Sequence, residues 1–234
     1  MTIDVEISAE HVNTAKIKGK TVVVIDVLRA TSVMATALAN GAKKIIPVKT
    51  AEEVFRIAEK YEKPVKAGER HADKVPGFDA GNSPFEFNNE SIQGKVIIMS
   101  TTNGTNALLK TTDAQEVIIG SFINLEAVVN YLDQNTNDIV ILCSGTNGEF
   151  SLDDALCAGA VINKLMTQKD YVLTDIATAH LHLFKAEPDL HKALAECKHY
   201  KILKKKGLQK DLDYCLSLDV LNIVPVWING EVRI

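Results

Sequence analysis

The chain is short of the residues that staple or clip a small fold. Its four cysteines, at 143, 157, 197 and 215, contain no C-x-x-C pair. That spacing excludes a zinc ribbon and offers no disulfide framework, so the thiols read as reduced and the expected location is cytoplasmic. No apolar run approaches the roughly 18 residues of a membrane span. The acidic start, Met1-Thr2-Ile3-Asp4-Val5-Glu6, lacks the apolar length of a signal peptide, and no membrane partner is expected. A net charge of −4 and a pI near 5.9 argue against a nucleic-acid partner. The one strong cationic run, Lys198 to Lys206, reads as a solvated helix face. G-x-x-x-x-G-K-[ST] and G-x-G-x-x-G are missing, so nucleotide folds lose support, and no Asp-x-Asp follows the first strand, which removes the usual two-aspartate phosphatase signature. Arginine is scarce as well: Arg29, Arg56, Arg70 and Arg233 stand against 22 lysines.

What is present is a threefold pattern. Val22–Ile25, Val96–Met99 and Ile139–Leu142 are apolar runs, each suited to a strand covered on both faces. Each runs into a polar loop: Asp26 to Ser32, Ser100 to Thr105, and Cys143 to Glu149. A segment of helical spacing follows each loop. In α/β proteins such carboxyl-end loops gather on one rim of the sheet, where ligands bind. With 46% hydrophobic residues, the 234-residue chain reads as one α/β domain over 1–234. Further strands are predicted at Ile3–Ile7, Lys44–Val48, Pro64–Ala67, Glu116–Gly120 and Ile223–Ile228. Helices are predicted from Thr31 or Ser32 to Asn40, from a Thr50–Glu53 capping box to Tyr61, and over Thr105–Thr111, Asn124–Gln134, Ser151–Met166, Asp175–Lys185, Asp189–Cys197 and Lys198–Lys206. Gly68 to Asn89 reads as a long functional loop, ordered by Phe78, Phe85 and Phe87. Thr-Asn-Gly-Thr at 102–105 and Thr-Asn-Gly-Glu at 146–149 hint at an internal duplication.

The loops hold hydroxyls, amides, glycines and carboxylates, the parts of a site for an anion and a hard cation. Asp26 ends a buried strand, where a carboxylate is costly without a partner. Arg29 and Arg70 are the arginines in polar loops, and a guanidinium fork holds phosphate, sulfonate or carboxylate at two points. The Asn-Gly turns ahead of helices can offer peptide N–H groups to phosphate, though Asn-Gly is also a hairpin turn. Glu149, Asp153 and Asp154 form the densest acid cluster. Mg²⁺ takes one or two such carboxylates, and helix capping explains Asp153 and Asp154 better than it explains Glu149. His71, beside Arg70, is placed to orient substrate or transfer a proton. His180 and His182 read as ordinary helix residues.

Asp26-Val27-Leu28-Arg29-Ala30-Thr31, Gly68-Glu69-Arg70, Gly77 to Pro84, Thr101-Thr102-Asn103-Gly104-Thr105 and Leu152 to Gly159 resemble, in order, the successive blocks of the 2-phosphosulfolactate phosphatase family. The chain departs from those blocks at Asp153, where the family usually has Glu, and at Ala80, where it often has Leu. The resemblance implies a three-layer α/β/α architecture with a mixed or mostly parallel sheet. It also implies Mg²⁺-dependent hydrolysis of (2R)-2-phospho-3-sulfolactate to sulfolactate and phosphate, a reaction of coenzyme M biosynthesis in methanogens. On this reading Asp26, Arg29 and Asn103 are catalytic. Arg70, Asn82, Ser83, Thr102, Gly104 and Thr105 bind the small anionic substrate, and Asp26, Glu149 and Asp154 are the Mg²⁺ ligands. A phosphatase for a related phosphorylated hydroxy acid, or a binding protein for such an acid, would use the same parts. A homodimer is the commonest state for a soluble enzyme.

Overall fold

In the computed structural model, which describes residues 1–234, the β-branched runs become interior strands whose successive side chains enter different cores. The strands are β1 (Thr2–Glu6), β2 (Thr21–Ile25), β3 (Lys44–Pro47), β4 (Val65–Arg70), β5 (Asp73–Lys74), β6 (Val96–Ser100), β7 (Glu116–Gly120), β8 (Ile139–Cys143), β9 (Val172–Leu173), β10 (Val226–Ile228) and β11 (Glu231–Arg233). The helices are α1 (Thr14–Ile17), α2 (Ala30–Ala39), α3 (Ala51–Ala58), α4 (Asn89–Ile92), α5 (Gly104–Leu109), α6 (Leu125–Asp133), α7 (Leu152–Gln168), α8 (Asp175–Ala186), α9 (Leu190–Leu194), α10 (Lys198–Lys205) and α11 (Gln209–Cys215).

Along β2, Val23 and Ile25 join an apolar cluster with Leu125, Val128 and Leu132 of α6 and Leu156, Val161 and Leu165 of α7. Val22 and Val24 point the other way, into a cluster with Val33, Met34 and Leu38 of α2 and Leu108 of α5. β8 divides likewise, Ile139 and Ile141 to the first core and Val140 and Leu142 to the second. Period-two alternation between two apolar cores makes the three-layer α/β/α arrangement that the family blocks implied.

All eleven strands lie in one open sheet, in the order β5-β4-β6-β3-β11-β10-β7-β2-β8-β1-β9. β4, β6 and β3 run parallel, and so do β7, β2, β8, β1 and β9. Between the two groups lies the antiparallel β10–β11 hairpin, joined to β3 only through Val232 opposite Ile45 and to β7 only through Val226 opposite Ile118. Three antiparallel steps reverse one group relative to the other. A twist of roughly 20–25° per strand, accumulated between β6 and β2, lets carboxyl ends of both groups converge.

The local signals behave unevenly. The Thr50–Glu53 capping box is present, although its helix ends at Ala58 rather than Tyr61. Gly41 terminates α2 with φ +91°. The strand expected over Ile223–Ile228 is confined to Val226–Ile228. The Asn229-Gly230 turn, with φ of 51° and 83°, folds it back as a hairpin the sequence reading did not include. Helix α11 was also missed, despite the Leu208, Leu212 and Leu216 spacing that buries its inner face. No helix is long and apolar enough to cross a membrane.

Candidate active site

The loops after β2, β4, β6 and β8 meet around a cavity of about 180 Å³. Asp26 and Arg29 line it from the first loop, Glu69 and His71 from the second, Thr101, Thr102 and Asn103 from the third, and Thr146 and Asn147 from the fourth. Asn82 adds a wall from the long loop, and His199 with Ile202 from α10. Most of these groups are polar, and the space suits a ligand of a few carbons rather than a drug-sized one.

Asp26 is only 7% exposed. Its Oδ1 accepts the Ala30 N–H at 3.0 Å, so Asp26, rather than Thr31 or Ser32, caps the first turn of α2. Thr31 serves Asp26 instead: its hydroxyl donates to the Asp26 carbonyl at 2.8 Å and accepts the Asp26 N–H at 3.0 Å. Ser32 Oγ donates to the Val27 carbonyl at 2.9 Å. Burial pushes the Asp26 carboxyl up to about 7; the Ala30 N–H opposes that rise, the Asp153 and Glu69 carboxylates add to it, and the Gly104 N–H opposes it. A buried carboxyl so raised gains from a cation beside it.

Arg29 is 4% exposed and forms a buried ion pair with Asp211, itself 3% exposed, on α11. Asp211 Oδ1 accepts from Ser83 Oγ at 3.0 Å. The arginine, the loop that carries Asn82 and the C-terminal helices are thereby tied together. Ser83 thus acts one step behind the cavity wall, while Asn82 stands in it with its Oδ1 buried and without a partner.

Glu69, unassigned by the sequence reading, is the second carboxylate on the cavity. Its Oε1 accepts the N–H and the hydroxyl of Thr102, each at 2.9 Å, and its Oε2 accepts the Ala72 N–H at 2.9 Å. The signal was its place inside Gly68-Glu69-Arg70. Arg70 itself is turned away from the cavity. Its guanidinium donates to the carbonyls of Glu69 at 2.6 Å, Ser100 at 3.1 Å and Lys49 at 3.0 Å, and to Ser100 Oγ at 2.8 Å. A fork engaged by four oxygens of its own chain is a strut between strand ends, not the anion clamp expected for it.

The two Asn-Gly loops also differ. Asn103 leads into α5, and Gly104 packs so closely that a Cβ would lie 2.6 Å from Ala30 Cβ and 2.8 Å from Asp26 Oδ2. Thr101 and Thr105 bond reciprocally, N–H to hydroxyl, at 3.1 Å, which buries Thr105 behind the loop rather than in the cavity. Asn147 and Gly148, with φ of 53° and 82°, instead form a tight turn closed by Thr146 N–H to the Glu149 carbonyl at 2.9 Å. Asn103 Oδ1 accepts the Asn147 N–H at 3.2 Å and links the two loops.

The three acids expected to share a metal are separated. Asp26 faces the cavity. Glu149 is exposed beyond the turn and does not line it. Asp154 is buried behind, where Oδ1 accepts the Val27 N–H at 2.9 Å and Oδ2 the Gly145 N–H at 3.0 Å. Burial raises its carboxyl well above the ordinary range, with Asp153 and Asp26 adding to the rise and the two peptide donors opposing it. Asp154 therefore clasps the first loop to the fourth. Nowhere do three or more His, Cys, Asp or Glu side chains gather into a group that could hold a metal.

The sequence profile of a family described as 2-phosphosulpholactate phosphatase matches residues 6–230. The chain belongs to the 2-phosphosulfolactate phosphatase family. Membership places it among the phosphoric monoester hydrolases. A protein of Clostridium perfringens strain SM101, named probable 2-phosphosulfolactate phosphatase, is 46% identical over 237 residues, covering 100% of this chain and 96% of its own. A Clostridium acetobutylicum protein of the same name is 44% identical over 234 residues, covering 99% of this chain and 100% of its own. A third, from Clostridium novyi, is 43% identical over 226 residues and covers 96% of each chain.

Proposed function

We propose that the chain hydrolyses (2R)-2-phospho-3-sulfolactate to 3-sulfolactate and phosphate, the coenzyme M type of reaction, with Mg²⁺ as cofactor. The observation that carries this reading is the cavity itself. It combines a carboxyl raised to about 7 at Asp26, the Arg29 guanidinium and the peptide and hydroxyl donors of Thr101 to Asn103.

The donor set fits Mg²⁺, which commonly takes one or two carboxylates and completes its shell with water and substrate phosphate. Asp26 and Glu69 would hold it. Both carboxylates line the cavity, Asp26 from the first loop and Glu69 from the second. Bound there, the ion would neutralise phosphate charge and fix the phosphoryl group in place. Arg29 and the loop from Thr101 to Asn103 supply donors for the equatorial phosphoryl oxygens, since phosphoryl transfer is mainly positioning and electrostatics. In the reaction a water oxygen bonds to phosphorus and the ester P–O bond breaks. The departing sulfolactate oxygen takes up a proton.

Release of inorganic phosphate from phosphosulfolactate, with and without Mg²⁺, tests the proposal. It expects Mg²⁺-dependent turnover faster than on other phosphorylated hydroxy acids. Equal turnover of unrelated phosphomonoesters, or turnover unchanged by chelation, would overturn it. The stereochemical course at a chiral phosphoryl group adds the route: direct attack by water inverts the phosphorus, and net retention would make Asp26 a nucleophile instead.

A further inference from the structure

Phosphosulfolactate carries a carboxylate and a sulfonate besides its phosphate. Among the side chains lining the cavity, only Arg29, His71 and His199 can carry positive charge. Arg29, anchored by the buried Asp211, is taken up by the phosphoryl oxygens in the function proposed above, and Arg70 is bound to backbone oxygens elsewhere. Imidazoles are therefore the remaining cation-capable donors.

They stand on separate elements at the mouth. His71 follows β4, and His199 lies in the first turn of α10. His71 and Ala72 hold successive left-handed conformations, φ 56° and 63°, which non-glycine residues rarely adopt in sequence. Glu69 holds that turn by accepting the Ala72 N–H. The pair forms the two-residue loop of the β4–β5 hairpin, a turn that calls for φ > 0 at both positions, so the hairpin and Glu69 together fix where His71 stands. The two elements are also tied to each other, since Asp73 of β5 pairs with Lys206 at the end of α10. The lysines of α10 are exposed, and Lys201 is paired with Glu196.

Resting on the function proposed above, we propose that His71 and His199 form a two-sided clamp for the acid groups of the substrate that do not react. The pair thereby sets the preference for a phosphoester that carries a second anion. His199 and Ile202 of α10 are then a wall of the site, while the lysines of the same helix keep to its solvated face.

The test is a selectivity ratio. kcat/KM would be measured for phosphosulfolactate, for 2-phospholactate, which lacks the sulfonate, and for 2-(phosphonooxy)ethanesulfonate, which lacks the carboxylate. His71→Gln and His199→Gln should each lower the preference for phosphosulfolactate over one analogue by about tenfold, the scale of one hydrogen bond to a charged group. The loss should come mainly through KM, and the analogue that gains in relative terms identifies the group held. Competitive inhibition by 3-sulfolactate should weaken in parallel, a readout that a general loss of folded enzyme would not move. A wild-type preference that survives unchanged in both variants would overturn the clamp alone. A wild type with no preference among the three compounds would overturn both the clamp and the substrate assignment.

Discussion

Gly104→Ala is the most demanding test of how the loops meet. Gly104 opens α5, Ala30 opens α2, and the added methyl carbon would stand 2.6 Å from Ala30 Cβ and 2.8 Å from Asp26 Oδ2. Carbon atoms rest at roughly 3.5–4.0 Å, so the two loops must part by about 1 Å. Neither neighbour can swing aside: one is a Cβ fixed to backbone, and the other belongs to a carboxylate held by Ala30 N–H. Overpacking of this kind costs about 1–3 kcal/mol. A value near 2 kcal/mol lowers Tm by roughly 4–8 °C in a chain of this size. A displacement of about 1 Å at reacting groups costs on the order of 100-fold in rate. Thermal melts and phosphate release would therefore show a folded enzyme with a modest loss of Tm and a disproportionate loss of kcat/KM. Adding Ala30→Gly removes the closer contact and should restore part of Tm, but not the rate, because the Asp26 contact persists. A Gly104→Ala enzyme with kcat/KM within about threefold of wild type would refute the packing of these loops around Asp26.

Three further outcomes follow from individual side chains. Asp26 is raised from an ordinary 3.8 to about 7, so the folded state holds its proton more tightly than the unfolded state. The resulting stability is full below the unfolded value and lost as pH rises through about 7. Without Mg²⁺, Asp26→Asn should melt above wild type at pH 8 and level with it near pH 4, and parallel melting at both pH values would contradict the buried carboxyl. Arg70→Lys removes up to four hydrogen bonds to Glu69, Ser100 and Lys49 and should cost on the order of 1–3 kcal/mol in urea unfolding. KM should move little, and a large rise in KM with unchanged stability would return Arg70 to the substrate. Asp154→Asn leaves one of the Val27 and Gly145 N–H groups facing an amide donor, a cost of about 1–3 kcal/mol. An unchanged urea midpoint would show that the clasp between these loops is unimportant.

The legibility of this molecule follows the range over which each signal acts. Apolar runs such as Val22–Ile25 and Ile139–Leu142 announce interior strands because covering both faces removes polar positions. The loops after them were readable as a site for the same reason: carboxyl-end position is set by chain direction. Orientation was not readable. Arginine scarcity singled out Arg29 and Arg70 alike, but only tertiary packing turns one fork towards the cavity and Asp211 and the other towards Ser100 and Lys49. Capping logic ranked Glu149 above Asp153, yet Glu149 is exposed, and Asp154 is taken up by peptide donors from two loops. Thr-Asn-Gly has two conformations here because Asn147-Gly148 closes a turn and Asn103-Gly104 opens a helix. Asp211 and His199 were beyond local reasoning altogether, since nothing near them in sequence marks their approach to Arg29 or to the cavity mouth.

The central claim is that Asp26, at the junction of these loops, organises the phosphoryl-transfer site. Its most direct test is the rate of phosphate release from (2R)-2-phospho-3-sulfolactate in the presence of Mg²⁺ by wild type and Asp26→Asn. The account predicts rapid turnover by the first and a kcat at least about 100-fold lower in the second, the lower range for losing a key electrostatic or acid–base group. Near-wild-type turnover by Asp26→Asn would contradict it.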